Sequence, residues 1–231
     1  MSTSARHPSP RPRLTAGVLL ASAAGLFACR AAPAASQTAA LPAEPAPVGV
    51  TASVDTAVFA GGCFWGVEAV FEHLNGVSNA VSGYAGGKAR GPSYEEVSTG
   101  TTGHAESVLV VYDPSRISYN QLLQVFFTVA HDPTQLDRQG PDVGSQYRSV
   151  VFYRNEGQRD AARRYIAKLE AAKTYDAAIV TQVVPLEGFN EAEAYHQDYL
   201  AHHPHQPYIV INDAPKLKAL AREFPALYRK G

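Results

Sequence analysis

Cysteine is scarce in this sequence of 231 residues, which contains only Cys29 and Cys63. Two cysteines cannot build the disulfide framework of a small secreted scaffold. An excess of basic charge is also missing, because 20 Lys and Arg side chains face 21 Asp and Glu. The formal net charge of -1 therefore leaves no electrostatic footprint for nucleic acid. No apolar run reaches the roughly 18 to 20 residues that a membrane-spanning helix requires.

The remaining composition is ordinary for a globular protein, with 45% hydrophobic and 18% charged residues. These proportions exclude an intrinsically disordered or collagen-like chain. The length is sufficient for one domain, or two small ones, with a substantial hydrophobic core.

The N-terminal segment has the pattern of a bacterial export signal. Three arginines among the first 13 residues precede a largely apolar stretch, residues 14–28. That stretch is too short to span a membrane comfortably but is typical of the apolar region of a signal peptide. It ends in the sequence LFAC, which resembles a lipobox with Cys29 as the lipidated residue. We therefore expect residues 1–28 to be an export signal of the lipoprotein type.

Two other outcomes of N-terminal processing remain open. Cleavage after residues 32–34 (Ala-Pro-Ala) would release a soluble protein, and an uncleaved signal would act as an anchor. All three predict a protein exported from a bacterial cytoplasm, either periplasmic or anchored to the membrane. Residues 29–55 are rich in Ala and Pro, which predicts a flexible tether before a folded domain at residues 56–231.

Hydrophobic periodicity divides the folded domain into interspersed strands and helices. Strands are predicted at residues 56–60, 77–84, 107–112, 146–153 and 179–184. Helices are predicted at residues 63–74, 119–130, 155–175, 190–201 and 216–223. The sequence shows no internal repeat, and the pattern indicates a layered α+β fold.

Cys63 is the candidate functional residue in this pattern. It follows a predicted strand and the pair Gly61-Gly62, and it opens a predicted helix. Unpaired N–H groups and the helix dipole stabilise a thiolate at such a position, and the glycines permit a tight turn. The alternative is a buried, inert cysteine that only fills space in the core.

Six ordered sequence blocks resemble the A-type peptide methionine sulfoxide reductase family. They are GGCFWG at 61–66, SGYAGG at 82–87, TGHAE at 102–106, HDPT at 131–134, QG with DVGSQYRS at 139–149, and AEAYHQ at 192–197. The resemblance extends over residues 56–209, and its six blocks are together highly specific.

The resemblance implies a fold, a reaction and a biological role. The fold would be a mixed β-sheet with packed helices, a two-layer sandwich of ferredoxin-like topology. The reaction would be reduction of the S epimer of methionine sulfoxide, free or in proteins, with Cys63 left as a sulfenic acid. Residues 56–231 would then form an oxidoreductase domain that repairs oxidatively damaged exported proteins.

A sulfoxide presents an apolar methyl group beside a polar S–O bond, so its site needs two unlike halves. Phe64 and Trp65 are predicted to form the apolar wall for the methyl group. Periodicity alone would equally allow both rings to be core residues.

The resemblance assigns the polar half of the site to Glu106, Tyr94 and Tyr147. Glu106 begins an apolar strand, where burial would keep it neutral and able to donate a proton. The two phenols are neutral hydrogen-bond donors. Asp142 is predicted to support this group by orienting the donors or the substrate. The ordinary alternative is a solvated carboxylate with two tyrosines that only pack.

The sequence departs from many relatives because it has no cysteine after Cys63 that could resolve a sulfenic acid. Position 98 is Ser where relatives often have Cys. The resemblance therefore implies a one-cysteine enzyme without a cofactor, which depends on an external thiol. Outside the cytoplasm, a thioredoxin-like protein or a small thiol would serve.

Two other functions compete with this interpretation. His196, His202, His203 and His205 are close in sequence, which could indicate a metal-binding module, although no cysteine accompanies them. Cys63 with His104 or His196 as a base could indicate an acyl-transfer enzyme. We favour the reductase and predict no metal site.

Overall fold

The computed structural model describes residues 54–230. The predicted export signal and the lipidation site Cys29 lie outside the described residues, as does the predicted tether up to residue 53. The first strand begins at Asp55, whose register partner is Tyr112. Strand β1 therefore begins one residue before the strand predicted at residues 56–60.

Eight strands form a six-stranded sheet and a small hairpin. They are β1 (Asp55–Ala60), β2 (Val77–Ala85), β3 (Ala105–Tyr112), β4 (Arg138–Gln139), β5 (Asp142–Val143), β6 (Val150–Tyr153), β7 (Gln182–Pro185) and β8 (Phe189–Glu191). The large sheet has the order β7-β6-β1-β3-β2-β8, and β4 pairs with β5.

The helices are of three kinds. The α-helices are α1 (Phe64–Glu72), α2 (Tyr94–Ser98), α3 (Tyr119–Val125), α4 (Glu156–Ala171), α5 (Tyr199–His202) and α6 (Ala214–Glu223). Phe126–Ala130 extends α3 and Ile209–Asp213 precedes α6, both as π-helical turns, while Ser145–Tyr147 and Ala194–His196 are 3-10 turns. Within residues 54–230, no helix has the length and apolarity needed to cross a membrane.

The centre of the sheet has ferredoxin-like topology. Apart from the short elements α2, β4 and β5, the chain runs β1-α1-β2-β3-α3-β6. The four strands of this run lie side by side in the order β6-β1-β3-β2, each antiparallel to its neighbours. This arrangement consists of two split βαβ units. β7 adds parallel to β6 and makes the sheet mixed, and β8 adds antiparallel to β2. The predicted α+β, ferredoxin-like sandwich is confirmed.

Strand β1 lies between the two apolar layers of the structure. Successive side chains of a strand point to opposite faces. Ala57 and Phe59 belong to the main core between the sheet and its helices, whereas Val58 and Ala60 belong to a smaller cluster on the opposite face. β1 is therefore buried on both faces immediately before the predicted nucleophile.

Aromatic rings fix the end of β1 against two helices. The ring of Phe59 stacks on that of Phe71 in α1 at 5.1 Å and on that of Phe126 at 4.8 Å. Such offset pairs add directional preference to the burial of apolar area. The turn that follows β1 therefore starts from a rigid support.

Three predicted elements differ from the structure by three or more residues at one end. The predicted strand at 146–153 begins only at Val150, because Ser145–Tyr147 forms a 3-10 turn. The predicted helix at 155–175 ends at Ala171, since Lys173 adopts a left-handed backbone with φ of 50°. The last predicted strand, 179–184, starts at Gln182. Helix α2 and the β4–β5 hairpin were not predicted, because both are very short.

The predicted helix at 190–201 is wrong. This stretch contains the end of β8, a 3-10 turn and the short helix α5, and Asp198 between them has a left-handed φ of 52°. Polar side chains here bond other segments instead of capping a helix. The Gln197 amide donates to the carbonyl oxygens of Ser82 and Ala192, at 3.0 and 2.9 Å. Tertiary contacts thus override the local capping pattern.

Candidate active site

A glycine turn places Cys63 at the N-cap of helix α1. Gly62 has a φ of 93°, and a Cβ there would lie 2.5 Å from the Gln139 side chain. Gln139 is itself fixed, because its amide exchanges two hydrogen bonds with the backbone of Asp132, at 3.0 and 3.2 Å. Only glycine fits this turn without strain. Cys63 is the N-cap residue of α1 and is 7% exposed.

Glu106 lies beside Cys63 at the start of α1. The backbone N–H of Phe64 donates to Oε2 of Glu106 at 3.0 Å. The first N–H groups of a helix have no partner within the helix, so a carboxyl group on the neighbouring strand β3 satisfies one of them. Glu106 is only 3% exposed. The predicted nucleophile and the predicted proton donor are therefore neighbours.

Trp65 is held by contacts on two sides. Its indole N–H donates to Nδ1 of His196 at 3.1 Å, and its ring stacks on Tyr199 with centroids 3.7 Å apart. Because indole can only donate, His196 accepts at Nδ1 and carries its proton on Nε2. Burial lowers the pKa of His196, which keeps the ring neutral. Phe64, which is fully buried, contacts the His196 ring at 5.0 Å.

Tyr94 is the first residue of α2, and Glu193 holds it in position. The backbone N–H of Tyr94 and the hydroxyl of Tyr84 both donate to the carboxylate of Glu193, at 2.8 and 2.9 Å. Burial raises the pKa of the Tyr94 phenol, and the nearby Glu106 and Cys63 raise it further. Tyr94 is therefore a neutral donor that faces both groups.

Tyr147 ends the 3-10 turn that two hydrogen bonds attach to the loop before β3. The Ser145 hydroxyl donates to the carbonyl of Gly100 at 3.0 Å, and the Arg148 guanidinium donates to that of Gly103 at 2.9 Å. Burial raises the pKa of the Tyr147 phenol, and Glu106 adds to the effect. Tyr147 is thus a second neutral phenol facing the site.

Asp142 is linked to the C-terminal part of the chain. It lies in β5 and accepts a hydrogen bond from the hydroxyl of Tyr208. The Tyr208 ring also meets Trp65 edge-on, with centroids 5.9 Å apart. Burial raises the pKa of the Tyr208 phenol, and Cys63 is the next cause. Tyr208 is not predictable from the sequence, since no spacing pattern links it to residues more than 60 positions earlier.

Burial dominates the electrostatics of the site. It raises the pKa of Glu106 to about 8, and Asp142 and Asp213 add to the shift, while the hydrogen bond from Phe64 opposes it. Glu106 is therefore protonated at neutral pH. Burial also raises the pKa of the Cys63 thiol, with Glu106 and Asp213 as further causes. Burial therefore opposes the thiolate that the helix N-terminus is predicted to favour, while the backbone N–H of Trp65 lowers the pKa of the thiol.

The histidines named by the competing hypotheses are separated in the structure. His196 is buried beside Trp65, whereas His202, His203 and His205 are exposed. In the described part of the chain, no three His, Cys, Asp or Glu side chains are grouped closely enough to hold a metal ion. His104 bonds the backbone of Gly87 and Ala89, so its ring holds a loop in place.

The fold and this site define a class of protein that comparison with known proteins identifies. A family model described as peptide methionine sulfoxide reductase matches residues 55–227. The chain belongs to the peptide methionine sulfoxide reductase family. It is an enzyme, a peptide-methionine (S)-S-oxide reductase, as the sequence resemblance predicted.

Individual relatives agree with this assignment. The chain is 58% identical over 174 residues to peptide methionine sulfoxide reductase MsrA 2 of Mesorhizobium japonicum, covering 75% of this chain and 89% of the relative. It is 52% identical over 169 residues to MsrA of Natronomonas pharaonis, covering 73% and 94%. Among solved structures, Mxr1 from Saccharomyces cerevisiae in reduced form gives a TM-score of 0.62 at 33% identity, covering 66% and 87%. Methionine sulfoxide reductase A of Corynebacterium diphtheriae gives 0.58 at 37%, covering 67% and 78%.

The raised pKa of Glu106 predicts how stability depends on pH. From about pH 5 to about pH 8, the folded protein keeps a proton on Glu106 that the unfolded chain releases. This group therefore lowers the free energy of unfolding as pH rises through that window. Glu106→Gln removes the effect, so its stability relative to wild type should rise by about 1.4 kcal/mol per pH unit.

Urea unfolding at a series of pH values measures this difference. Glu170→Gln, which changes an exposed carboxyl on α4, is the control and should track the wild type. A Glu106→Gln curve parallel to the wild-type curve would contradict the buried neutral acid.

Proposed function

We propose that Cys63 attacks the sulfur of methionine sulfoxide while Glu106 protonates its oxygen. The hydrogen bond between the Phe64 N–H and Glu106 carries this proposal, because it joins a neutral carboxylic acid to the helix end that bears the thiol. A neutral acid can donate a proton at once, whereas a solvated carboxylate at pH 7 cannot.

The proposed step balances in atoms and electrons. Attack forms a bond between Sγ of Cys63 and the substrate sulfur. The oxygen then moves to Cys63: the substrate S–O bond and the new S–S bond break, an S–O bond forms on Cys63, and the thioether leaves as methionine. Glu106 gives its proton to the oxygen and regains one from the Cys63 thiol. The substrate sulfur is reduced by two electrons and Cys63 is oxidised by two, which yields a sulfenic acid.

The surrounding side chains suit the two halves of the substrate. Trp65, fixed by His196 and Tyr199, and the neighbouring Phe64 would contact the methyl group. Tyr94 and Tyr147 would donate to the oxygen, since their pKa values are raised and both phenols stay neutral. Asp142 would act indirectly, by orienting Tyr208 through their hydrogen bond.

Single-turnover kinetics with an S-sulfoxide peptide test the two central roles. Cys63→Ser should lose turnover, because a hydroxyl is a far weaker nucleophile at neutral pH. Glu106→Ala should slow the chemical step by about 10²-fold or more, the usual contribution of a general acid. Glu106→Gln should be milder, since the amide keeps a hydrogen-bond donor but supplies no proton.

Glu170→Gln is the matched surface control and should react like the wild type. Circular dichroism checks that each variant is folded. Retained turnover in folded Cys63→Ser would refute the nucleophile, and equal rates for wild type, Glu106→Gln and Glu106→Ala would refute the acid.

The oxidised enzyme is proposed to return to the thiol form through an external reductant. Cys63 is the only cysteine among residues 54–230. Ser98, at the position where relatives often have Cys, is an exposed residue of α2 whose hydroxyl bonds the Tyr94 carbonyl at 2.7 Å. Serine cannot form a disulfide, so the sulfenic acid must be reduced by a thioredoxin-like protein or a small thiol.

Trapping the oxidised state tests this route. After one turnover without reductant, Cys63 should react with dimedone and intact mass should show no internal disulfide. Recycling should then speed up in proportion to the concentration of added thiol, because the step is bimolecular. An oxidised form that resists dimedone and has lost two hydrogens to a Cys29–Cys63 disulfide would contradict the proposal.

The enzyme is further proposed to act outside the cytoplasm, on exported proteins that carry methionine sulfoxide. The basic residues before residue 14, the apolar stretch at 14–28 and the lipobox-like sequence at Cys29 support this location. Lipidation of Cys29 would attach the enzyme to the bacterial membrane, with the Ala- and Pro-rich segment as its tether.

Mass spectrometry of the N-terminus, on protein isolated from its native membranes, tests the processing. The expected first residue is Cys29 carrying a lipid. An unmodified N-terminus after residue 34, or an intact signal segment, would contradict lipidation.

A further inference from the structure

A buried ion pair from the C-terminal part of the chain lies beside the active site. Asp213 ends the π-helical turn before α6, and Lys216 lies in the first turn of α6. Oδ1 of Asp213 accepts a hydrogen bond from Nζ of Lys216 at 3.1 Å. Asp213 is 0% exposed, while the Lys216 side chain is 18% exposed. The mechanism proposed above uses neither residue.

Gly66 allows this pair to approach the nucleophile. A Cβ at Gly66 would lie 2.0 Å from Oδ1 of Asp213 and 2.7 Å from Nζ of Lys216. Gly66 follows Cys63 by three residues and belongs to the first turn of α1. The ion pair therefore occupies the space that any larger residue would fill, directly against the helix end that carries the thiol.

The burial of Asp213 requires an explanation. Its second oxygen, Oδ2, has no hydrogen-bond partner among the described residues. A buried carboxyl oxygen without a partner costs free energy, and a packed apolar residue would avoid that cost. A buried carboxyl group beside an active site is a candidate for a functional role.

The two members of the pair have opposite effects on the pKa of the Cys63 thiol. Asp213 raises the pKa of the thiol, because a negative charge disfavours a thiolate nearby, and Lys216 lowers it. The other titratable groups facing Cys63 are Glu106 on β3 and the phenols of Tyr94, Tyr147 and Tyr208. Glu106 is protonated below about pH 8, and the raised pKa values keep the phenols neutral.

We propose that the Asp213–Lys216 pair controls how readily Cys63 loses its proton, with Lys216 as a positioning residue that screens the buried carboxylate of Asp213 from the sulfur. The proposal rests on Cys63 being the nucleophile. It assigns a role in the reaction to the start of helix α6, where Lys216 lies.

The rate at which iodoacetamide alkylates Cys63, measured against pH by intact mass, tests this proposal. The full chain with Cys29→Ala is used, so that Cys63 is the only thiol. Lys216→Met should slow alkylation at pH 8 by about tenfold, the effect of a one-unit rise in pKa. Asp213→Asn should accelerate it by a similar factor, because the positive charge then acts alone. The double variant should return close to the parent rate.

Two further variants separate charge from structure. Lys216→Arg keeps the positive charge and should recover most of the rate lost in Lys216→Met. Lys218→Met removes an exposed lysine from the same helix and should leave the pH profile unchanged. If both single substitutions of the pair shift the profile in the same direction, or neither shifts it, the proposal is wrong.

Thermal unfolding shows which variants are folded. If Asp213→Asn does not fold, the comparison of Lys216→Met with Lys216→Arg decides, and equal loss in both would overturn the proposal. Alkylation needs no turnover, so this result is independent of the Cys63→Ser test of the proposed function.

Discussion

The hydrogen bond from the Phe64 N–H to Glu106 is the contact on which the rest of this active site depends. It forms because the first N–H groups of α1 have no partner within the helix and because β3 lies beside β1 in the sheet. The bond joins residues 42 positions apart and unites the two groups that the reaction needs. A protonated Glu106 can accept this bond through one oxygen and present its proton from the other.

Burial of this junction has opposite consequences for the two reacting groups. It raises the pKa of Glu106 to about 8, which suits a proton donor at neutral pH. The same desolvation raises the pKa of Cys63, which disfavours the thiolate that must attack. A site that excludes water therefore needs local compensation for its nucleophile. The backbone N–H of Trp65 and the ammonium group of Lys216 both act in that direction.

Residues from the C-terminal half of the chain hold in position active-site side chains that come from its N-terminal half. Glu193 positions Tyr94, and His196 with Tyr199 fixes the Trp65 ring. These contacts explain why residues 190–201 do not form the continuous helix that their sequence predicts. Its polar side chains bond distant segments, and helical geometry would point several of them away from their partners.

The sequence by itself determined the fold class and the local arrangement at Cys63. The strand, the glycine turn and the helix start lie within about a dozen consecutive residues, and periodicity and glycine chemistry act over that range. Only the tertiary structure decided which distant groups meet the thiol, as with Tyr208 on Asp142 and Asp213 against Gly66. The tertiary structure also decided which titratable side chains of the site carry a proton. Desolvation depends on what covers a residue in three dimensions, and no local pattern in the chain encodes it.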